Sequence, residues 1–483
     1  MIDESRAPGT AEGARRRARS LSPTPDFVAA DGARYVAGRV IVKFKDGIST
    51  ASRLSTLSAA SGTARMSERP SDADFDVIRI DPSEDPADVA RDLSRRPDVE
   101  YAQPSHRIHT EFVPNDTDYK RLQWNFPLID LERAWDIQPQ PGSTITVAVI
   151  DTGVAYTAAT ITATVPAFTL DGVRYPRLGP VVIPYSAAPQ LAPGSRFVAP
   201  RDFICNQSPL DFDGHGTHVS GTIGQTTNDN ASVAGVAFNV KIMPVKVLAS
   251  VWDVLFGCAD DIGGTDDDVA RGIRYAADNG AKVINLSLGA AGEAGSAPVV
   301  EAAVKYAVGK GVFLAIAAGN DFEDGNPMQV VSEIASRVKG AVSVAAVDQL
   351  KRHAFYSSAG DYVELAAPGG SNRGFGTTPP AGFIWQETFD FLFTDTFNDP
   401  PSQFKAPRFD VLRPVGYIGT SQAAPHVAAL AAMLMQQGIT DPAAIEAALE
   451  KFATDLGDPG RDRFFGFGLI EARDTLRGLG LTR

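Results

Sequence analysis

The stretch "TITVAVIDTG", residues 144–153, decides the fold. Its apolar, β-branched run indicates a strand buried on both faces, and the strand ends in Asp151 and a glycine turn. Amphipathic helical stretches, such as "DDVARGIRYAADNG" (267–280), alternate with further runs of this kind. The alternation predicts an α/β fold in which helices cover both faces of a mainly parallel sheet, as three layers α/β/α. The further strand runs are "VKIMPVKVL" (240–248), "AKVINLSLG" (281–289), "VFLAIAAGN" (312–320) and "AVSVAAV" (341–347).

A smaller module is predicted ahead of this sheet, over residues 35–106. Its segments follow the order β-α-β-β-α-β, which is typical of a small ferredoxin-like α+β domain. Residues 1–34 show no periodicity and are rich in Ala, Arg, Ser, Pro and Gly, so they are predicted to be a disordered leader. The six segments are "GRVIVKFKDG" (38–47), "STASRLSTLSAAS" (49–61), "ARMSERP" (64–70), "FDVIRID" (75–81), "DPADVARDLSRR" (85–96) and "VEYAQPS" (99–105).

The composition excludes two classes of partner. The 483 residues include 45 Lys and Arg against 58 Asp and Glu, and the resulting net charge of -13 argues against a nucleic-acid partner. The longest apolar run near the C-terminus, "VAALAAMLM" (427–435), has nine residues, whereas a membrane-spanning helix needs about 20. No membrane partner is therefore expected. The first 20 residues contain no apolar core of a signal peptide.

Polar residues stand at four predicted element ends. Asp151 and Asn320 end strands, His215 opens a helix in "DFDGHGTHVSGTIG" (211–224), and Ser421 lies in "GTSQAAPHVAAL" (419–430). A serine before an apolar helix is also a typical N-cap, so Ser421 taken alone has two interpretations. In a parallel sheet, however, such ends gather at one edge. An acid, an imidazole, an amide and a hydroxyl gathered there are the groups needed for acyl transfer.

Five motifs, in this order along the chain, are similar to the signature blocks of the subtilisin-like serine peptidases, the subtilases or peptidase family S8. The order Asp, His, Ser distinguishes that family from α/β-hydrolases and chymotrypsin-type enzymes. The residues 35–106 resemble the inhibitory propeptide of the same family and end in the family-like "VEYAQP". The motifs are "VIDTG" (149–153), "HGTHVSGTI" (215–223), "SLG" (287–289), "AAGN" (317–320) and "GTSQAAPHVA" (419–428).

The resemblance implies a serine endopeptidase that is made as a self-processing zymogen. In that reading Asp151 orients His215, His215 is the general base, Ser421 is the nucleophile, and Asn320 donates to the oxyanion. The partners are protein or peptide substrates and the chain's own propeptide, and the enzyme is a secreted monomer. The alternative is a catalytically silent protein of the same fold, plugged by its N-terminal module. The implied domains are the propeptide at 35–106, a linker and processing region at 107–123, and a peptidase domain at 124–483 with insertions at about 155–200 and 370–415.

The resemblance also implies substrate-binding residues. Ser287, Leu288 and Gly289 resemble the edge on which a substrate backbone pairs as an added strand. Asp213 takes the place of the wall of the subsite next to the scissile residue. Together with the acidic loop "CADDIGGTDDD" (258–268), it suggests a preference for Lys or Arg. The aspartates of this loop have two other interpretations, since they can cap the following helix or bind a cation.

Two further features have open interpretations. The segment "QTTNDNASVAG" (225–235) takes the place of a calcium loop in many relatives, with Asn228, Asp229 and the more distant Asp116 as ligands for structural Ca²⁺, or it is a solvated turn. No cofactor is expected for catalysis. The two cysteines, Cys205 and Cys258, form either one bridge or two thiols.

Overall fold

The chain folds into two compact units, Met1–His109 and Thr110–Arg483, in a computed structural model. Each unit is described by itself. The structure describes residues 26–28, 34–70, 72–106, 112–191, 196–374, 382–398 and 400–480.

The first unit contains a four-stranded antiparallel sheet in the order β4-β5-β3-β6, and its elements follow the predicted β-α-β-β-α-β order. Alternate residues of β3 are buried, as expected for a strand with one face on a core. Both helices begin at side-chain caps, Ser49 and Asp85. The elements are β1 (Asp26–Val28), β2 (Arg34–Val36), β3 (Arg39–Phe44), α1 (Thr50–Ala60), β4 (Arg65–Glu68), β5 (Asp76–Arg79), α2 (Pro86–Ser94) and β6 (Val99–Pro104).

The predicted leader includes some regular structure. Strand β1 pairs antiparallel with β2, and Phe27 lies opposite Tyr35. The pairing satisfies backbone groups that a disordered leader would leave to water. Residues 1–25 and 29–33 of the predicted leader lie outside the described residues.

The second unit has thirteen strands and eleven helices among its described residues. The strands are β7 (Thr146–Asp151), β8 (Ala159–Val165), β9 (Phe168–Leu170), β10 (Val173–Tyr175), β11 (Leu178–Tyr185), β12 (Arg201–Asp202), β13 (Lys241–Lys246), β14 (Val283–Leu286), β15 (Phe313–Ala317), β16 (Ala341–Val347), β17 (Leu365–Pro368), β18 (Ile384–Phe389) and β19 (Leu412–Tyr417). The helices are α3 (Tyr119–Leu122), α4 (Asn125–Leu128), α5 (Leu131–Ile137), α6 (His215–Gly224), α7 (Val251–Leu255), α8 (Asp266–Asp278), α9 (Pro298–Gly309), α10 (Phe391–Thr394), α11 (Thr420–Gln436), α12 (Pro442–Phe452) and α13 (Ala472–Gly480).

A seven-stranded parallel sheet forms the centre of the second unit, in the order β12-β13-β7-β14-β15-β16-β17. Alternate residues of β7 enter different cores. Val147 and Val149 pack in the core that includes α6 and α11, whereas Ala148 and Ile150 pack in the core that includes α8 and α9. Helices therefore cover both faces, and the predicted three-layer α/β/α fold is confirmed.

Helix α11 contains Ser421 as its second residue and is buried along most of its length. A helix that is apolar all round is typical of the interior of a large domain. The nine-residue apolar run noted in the sequence forms part of this core helix. Among the described residues, no helix combines the length and the apolar character of a membrane span.

The region predicted as a linker, 107–123, is packed structure from Phe112 onward. Tyr119 is buried and its ring contacts Phe126 and Trp135. The side chain of Gln123 exchanges two hydrogen bonds with the backbone of residue 234, at 2.7 and 2.6 Å. Burial of aromatic rings holds this segment against the rest of the second unit. Residues 107–111 of the predicted linker lie outside the described residues.

The two predicted insertions pack against each other. The first forms the antiparallel hairpins β8–β11 and β9–β10, and the second forms the hairpin β18–β19. Phe168 stacks on Tyr175, and Phe397 and Phe404 of the second insertion pack around this pair. The Tyr175 hydroxyl donates to the Phe397 carbonyl oxygen at 2.7 Å. The insertions are thus ordered by one shared aromatic cluster.

Candidate active site

An acid and an imidazole meet where β7 ends and α6 begins. The Asp151 side chain is fully buried, while about a quarter of the His215 side chain is exposed. His215 Nδ1 lies 2.7 Å from Asp151 Oδ1, and the same oxygen accepts from the Thr152 backbone N–H at 2.7 Å. The neutral imidazole that fits these contacts carries its proton on Nδ1 and leaves Nε2 free to accept one.

The close approach of the two elements requires a glycine after His215. A Cβ atom at Gly216 would lie 2.1 Å from the Gly153 carbonyl oxygen and 3.2 Å from the Asp151 side chain. Any other residue would push α6 away from the end of β7. The glycine therefore fixes the distance between the carboxylate and the imidazole.

A second buried carboxylate, Asp211, organises the loop before His215. Its Oδ1 accepts from the Thr152 hydroxyl and from the backbone N–H groups of Asp213 and Gly214, at 2.9–3.0 Å. Its Oδ2 accepts from the backbone N–H and the hydroxyl of Thr217, at 2.9 and 2.6 Å. Sequence analysis missed this residue. The available signal was a charged side chain between the apolar residues 210 and 212, because a buried charge needs such partners.

Three carboxylates act on the pKa of His215. Burial by itself lowers this pKa, since it disfavours the imidazolium. The adjacent charge of Asp151 and its hydrogen bond raise it, as do the charges of Asp213 and Asp211. The carboxylates outweigh burial, and the pKa of His215 is raised above its ordinary value. The site therefore stabilises the imidazolium that a general base forms.

Ser421 lies at the second position of α11. The N-cap of this helix is Gly419, with no side-chain cap, so the N-cap interpretation of Ser421 is wrong. The Ser421 hydroxyl donates to the Ser287 carbonyl oxygen at 3.2 Å, and the Ser287 hydroxyl donates to the Ser421 carbonyl oxygen at 2.7 Å. These contacts hold the serine against the segment that follows β14. Unpaired N–H groups at the start of the helix favour negative charge next to it.

The amide of Asn320 is held by its oxygen. Its Oδ1 accepts from the backbone N–H and the hydroxyl of Thr420, at 2.9 and 3.0 Å. The Thr420 hydroxyl in turn accepts from the Gly319 backbone N–H at 3.1 Å. With the oxygen fixed, the NH₂ group is the donor that Asn320 presents to the cleft that it lines.

One cleft of about 350 Å³ brings these groups together. His215, Asn320 and Ser421 all line it. Phe383 and Tyr417, from the second insertion, contribute to its wall. A hydroxyl, an imidazole held by a carboxylate and an amide thus face one space, and these are the groups that acyl transfer requires.

Comparison with known proteins agrees with this geometry. A model of the subtilase family matches residues 142–468. The chain belongs to the subtilase family. A model of the fervidolysin N-terminal prodomain matches residues 22–105.

The subtilase is similar to several named proteases. It is 32% identical over 441 residues to the thermophilic serine proteinase of Bacillus sp. (strain AK1), covering 91% of this chain and 87% of the relative. It is 31% identical to thermitase of Thermoactinomyces vulgaris, covering 72% of this chain and 94% of the relative. Over 79% of its length it is 29% identical to an extracellular protease of Xanthomonas campestris, of which 60% is covered. The subtilase is a serine-type endopeptidase.

Two solved structures show the same fold. Fervidolysin from Fervidobacterium pennivorans has a TM-score of 0.50 at 24% identity, over 92% of this chain and 61% of that one. A lanthipeptide protease has a TM-score of 0.54 at 21% identity, over 77% of this chain and 100% of that one.

Two other histidines of the subtilase are buried and serve the framework. His218 Nε2 lies 3.1 Å from both the Ile384 and the Val415 carbonyl oxygens, so it ties α6 to the hairpin β18–β19. His426 Nδ1 lies 2.8 Å from the Gln422 carbonyl oxygen. Burial lowers the pKa of His218 to about 3 and that of His426 to about 4, so both rings are neutral at ordinary pH.

The acidic residues predicted to line the subsites are not among the residues that line this cleft. Asp213 is exposed and accepts from the His215 backbone N–H at 3.1 Å. Asp266, Asp267 and Asp268 form the first turn of α8, the position that the helix dipole favours. Among the described residues that line the 350 Å³ cleft, none is acidic. The preference for Lys or Arg, with Asp213 and the loop 258–268 as its candidates, stays a prediction.

Asp116, one of the predicted metal ligands, contacts the backbone of the loop that carries the other two. Asp116 is buried, and its Oδ2 accepts from the Asn228 backbone N–H at 2.7 Å. Its Oδ1 is buried without a hydrogen-bond partner among the described residues. Burial raises the pKa of Asp116, and the nearby charge of Asp229 raises it further. An orphaned, buried carboxylate oxygen beside a loop of oxygen-bearing side chains fits a hard cation.

The two cysteines form a bridge. Cys205 and Cys258 are joined by a disulfide with their Cα atoms 5.3 Å apart. Next to it, the ammonium of Lys246 and the carboxylate of Asp253 form a buried ion pair at 2.9 Å. Lys246 also donates to the Thr152 carbonyl oxygen, so this pair is linked to the loop that follows Asp151.

Proposed function

We propose that this subtilase hydrolyses peptide bonds through Asp151, His215 and Ser421, with Asn320 as oxyanion donor, and that it is made as a self-processing zymogen. One observation carries the proposal: His215 contacts the buried Asp151 through Nδ1 while it lines the cleft with Ser421 and Asn320. Because the chain belongs to a family of serine endopeptidases, the reaction proposed for this arrangement is the hydrolysis of peptide bonds.

Acylation begins at the Ser421 hydroxyl. Rotation about the Cα–Cβ bond moves the hydroxyl from the Ser287 carbonyl oxygen toward His215 Nε2. The Ser421 oxygen then bonds to the substrate carbonyl carbon, and its proton passes to His215. Asp151 stabilises the imidazolium through the Nδ1–H hydrogen bond and stays ionised. The C–N bond breaks as His215 returns the proton to the leaving nitrogen, and water later hydrolyses the acyl ester by the same steps.

The tetrahedral oxygen would be bound by two donors. The Asn320 amide is preorganised through its oxygen by Thr420, so its NH₂ group needs no reorganisation when charge develops. The Ser421 backbone N–H, at the start of α11, is the second donor. The substrate backbone would pair with the segment Ser287, Leu288 and Gly289 as an added strand.

Zymogen processing rests on the N-terminal unit. The match to a fervidolysin prodomain over residues 22–105 supports an inhibitory propeptide. The tail "AQPSHRIHTEF" (102–112) would occupy the cleft and be cut between about Ser105 and Pro114. His106 precedes the gap in the described residues, whereas Arg107 and His109 lie outside them.

The test compares the full-length chain with its Ser421→Ala variant by intact mass and by hydrolysis of an unspecific protein substrate. The wild type should lose its N-terminal unit and cut the substrate, while Ser421→Ala should stay at full length and inactive. The loss in rate should resemble that of subtilisin itself, roughly 10⁶-fold.

The matched control is Ser336→Ala, which replaces a serine in the 3₁₀ turn Ser332–Arg337 and should behave as wild type. If the Ser421→Ala variant, purified in the same way as the wild type, also loses its N-terminal unit, self-processing is overturned. Inactivity of every form would instead favour a silent binding protein.

We also propose a structural Ca²⁺ site and export. Asp116, Asn228 and Asp229 would hold the ion, whose charge would neutralise the buried carboxylate and fix the loop against the segment after Phe112. A disulfide is typical of oxidising compartments, and the similar proteins include extracellular proteases. We expect this subtilase to be a secreted monomer that has no nucleic-acid or membrane partner.

A further inference from the structure

The Cys205–Cys258 bridge lies against the carboxylate of Asp253. Asp253 belongs to α7 and is fully buried. Its Oδ2 accepts from the Lys246 ammonium at 2.9 Å, and from the backbone N–H and the hydroxyl of Ser250 at 2.7 and 2.8 Å. Its Oδ1 faces the bridge instead, 3.9 Å from Cys205 Sγ and 3.8 Å from Cys258 Sγ. The two oxygens of one buried carboxylate therefore have very different surroundings.

The oxygen that faces the bridge has no hydrogen to accept. A disulfide sulfur carries no hydrogen, and no N–H or O–H group of the described residues contacts Asp253 Oδ1. A buried carboxylate oxygen without a donor is costly, because burial removes the water that would otherwise solvate it. Reduction of the bridge would supply two S–H groups, which are only weak donors. The unpaired oxygen points to a state of this pocket in which a positive ion lies between it and the two sulfurs.

The three atoms have nearly the spacing of a metal-binding face. Both sulfurs and Asp253 Oδ1 form one compact group of ligand atoms. Zn²⁺ binds thiolate sulfur at about 2.3 Å and carboxylate oxygen at about 2.0–2.2 Å, so a tetrahedral site places S and O about 3.6 Å apart. The observed S–O distances of 3.8 and 3.9 Å are close to this value. Once the S–S bond is broken, side-chain rotation can separate the sulfurs by a similar distance.

We propose that the dithiol form of this pocket binds Zn²⁺, or a similar divalent cation that prefers thiolates, through Cys205 Sγ, Cys258 Sγ and Asp253 Oδ1. A two-electron reductant of the thiol or phosphine class first breaks the S–S bond. Each sulfur gains one electron and one proton, and the reductant is oxidised. Zn²⁺ then releases both thiol protons to solvent and forms two Zn–S bonds and one Zn–O bond. Water would take the fourth position, since both cysteines are only partly buried.

Lys246 balances the charge of this pocket. Two thiolates and the Asp253 carboxylate carry three negative charges, and Zn²⁺ and the Lys246 ammonium carry three positive ones. The metal-free dithiol pocket is neutral as well, because the thiols are uncharged and the ammonium offsets the carboxylate. Exchange of one Zn²⁺ for two protons therefore leaves no uncompensated buried charge. The ion would connect Cys205 with Cys258 as the bridge does, and would keep Asp253 in place for Lys246, which also donates to the Thr152 carbonyl oxygen.

The experiment uses the full-length Ser421→Ala chain, which avoids self-digestion, and Cd²⁺ as the probe, because Cd²⁺–thiolate bonds give an ultraviolet charge-transfer absorption. A water-soluble trialkylphosphine reduces the bridge without adding a thiol ligand. It takes the oxygen of one water as its oxide, and the two hydrogens end on the sulfurs. Millimolar Ca²⁺ keeps hard-cation sites filled throughout. The reduced chain should bind one Cd²⁺ with this absorption and unfold at a higher midpoint than without Cd²⁺, whereas the unreduced chain should do neither.

Three variants assign the ligands. Cys205→Ser/Cys258→Ser removes both sulfurs and should show neither the absorption nor the Cd²⁺-dependent rise in midpoint. Asp253→Asn should bind Cd²⁺ at least about 10-fold more weakly, since even the loss of a partner outside the ligand shell costs about 10–100-fold in metal affinity. Asp260→Asn replaces an exposed carboxylate two residues after Cys258, is the matched control, and should bind as the parent chain does.

The opposing outcomes are equally specific. The proposal is overturned if the reduced chain does not bind Cd²⁺, or if the double cysteine variant binds it equally well. A bridge that the phosphine cannot open in the folded chain, seen as no label on alkylation, overturns it too. Equal affinities of Asp253→Asn and Asp260→Asn would exclude Asp253 Oδ1 as a ligand. Should Asp253→Asn fail to fold, because Lys246 loses its partner, the parent chain and the double cysteine variant decide. All these readouts measure metal binding, so their failure leaves the proposed hydrolysis at Ser421 unaffected.

Discussion

The ring of Tyr417 stacks on the ring of His218, with centroids 4.4 Å apart and planes inclined by 14°. His218 lies on α6, three residues after His215, and Tyr417 ends β19 and lines the cleft. The second insertion is therefore packed directly on the helix that carries the imidazole. A loop near an active site often moves, but this one is tied to the helix by a stack and by two carbonyl contacts to His218.

Replacement of Tyr417 by Ala should lower both stability and turnover. The lost stack and burial are worth about 1–3 kcal/mol in the free energy of unfolding for a partly buried ring. Because α6 loses a support, kcat should fall more than KM changes. Urea unfolding and steady-state kinetics measure the two effects. Tyr417→Phe keeps the ring and should stay close to wild type, and equal losses in both variants would contradict a role for the stack.

On the acid side of the pH profile, kcat/KM should fall at a pH above the ordinary pKa range of a histidine. A general base must be neutral, and the carboxylates around His215 raise its pKa, so kcat/KM should fall as the pH drops through that raised value. Asp213→Asn removes one of these charges while an amide oxygen can still accept from the His215 N–H. The His215 pKa should then fall, and the limb should move to lower pH.

The control for this shift is Asp171→Asn, in the turn between β9 and β10, which should leave the limb in place. Because Asp213 is exposed, its effect should weaken at high salt. The same variant tests the predicted preference for Lys or Arg in the subsite next to the scissile residue. A wild-type peptide profile indifferent to charge, at low and high salt, would remove Asp213 from the substrate-binding residues.

Asp211 should be a major source of stability for the loop before His215. Asp211→Asn replaces one accepting oxygen with an NH₂ group that faces donors, so at least one buried hydrogen bond is lost and one donor is left unpaired. The expected cost is about 2–4 kcal/mol. Thermal unfolding should show it together with a loss of kcat. An unchanged midpoint would mean that water replaces the lost contacts.

The sequence was sufficient for the sheet and for the groups in the cleft, because both follow local rules. Apolar runs such as 147–150 are buried on both faces, and the polar residues that end parallel strands meet at one edge. Asp151 and Asn320 were found by that rule, and His215 and Ser421 by the motifs around them.

Other features depend on contacts that no local pattern reveals. The Tyr175 hydroxyl meets a carbonyl 222 residues away in the chain, so the shared cluster of the insertions was unpredictable. Gln329 lies in a loop without a motif, and only the folded chain brings its side chain close to both Gly289 and Gly319. The packing of the segment predicted as a linker also depends on such contacts. Tyr119 has no helical or strand periodicity around it, yet it packs on Trp135.

Removal of Ca²⁺ should lower the midpoint of thermal unfolding. A ligand of the folded state at 100 times its dissociation constant stabilises by about 2.7 kcal/mol. Scans with millimolar Ca²⁺ and with a chelator measure the difference. Asp116→Asn keeps an acceptor for the Asn228 N–H but removes the charge, so the Ca²⁺-dependent shift should largely disappear. Asp118→Asn, two residues away in a surface ion pair with Arg121, should keep it. No shift in the wild type would show the loop to be a solvated turn.

The Cys205–Cys258 bridge should stabilise the subtilase through its unfolded state. The cysteines are 53 residues apart, and a crosslink over such a loop removes chain entropy worth about 4 kcal/mol at 25 °C, before any native-state strain. The bridge lies beside the buried pair Lys246 and Asp253, so its loss should also loosen the contact of Lys246 with the loop after Asp151. The double variant Cys205→Ser/Cys258→Ser should therefore unfold at lower denaturant and lose some turnover. Alkylation of the unfolded, unreduced protein provides the independent readout: no label on the wild type is expected, whereas two labels per chain would exclude the bridge and remove one of the arguments for export.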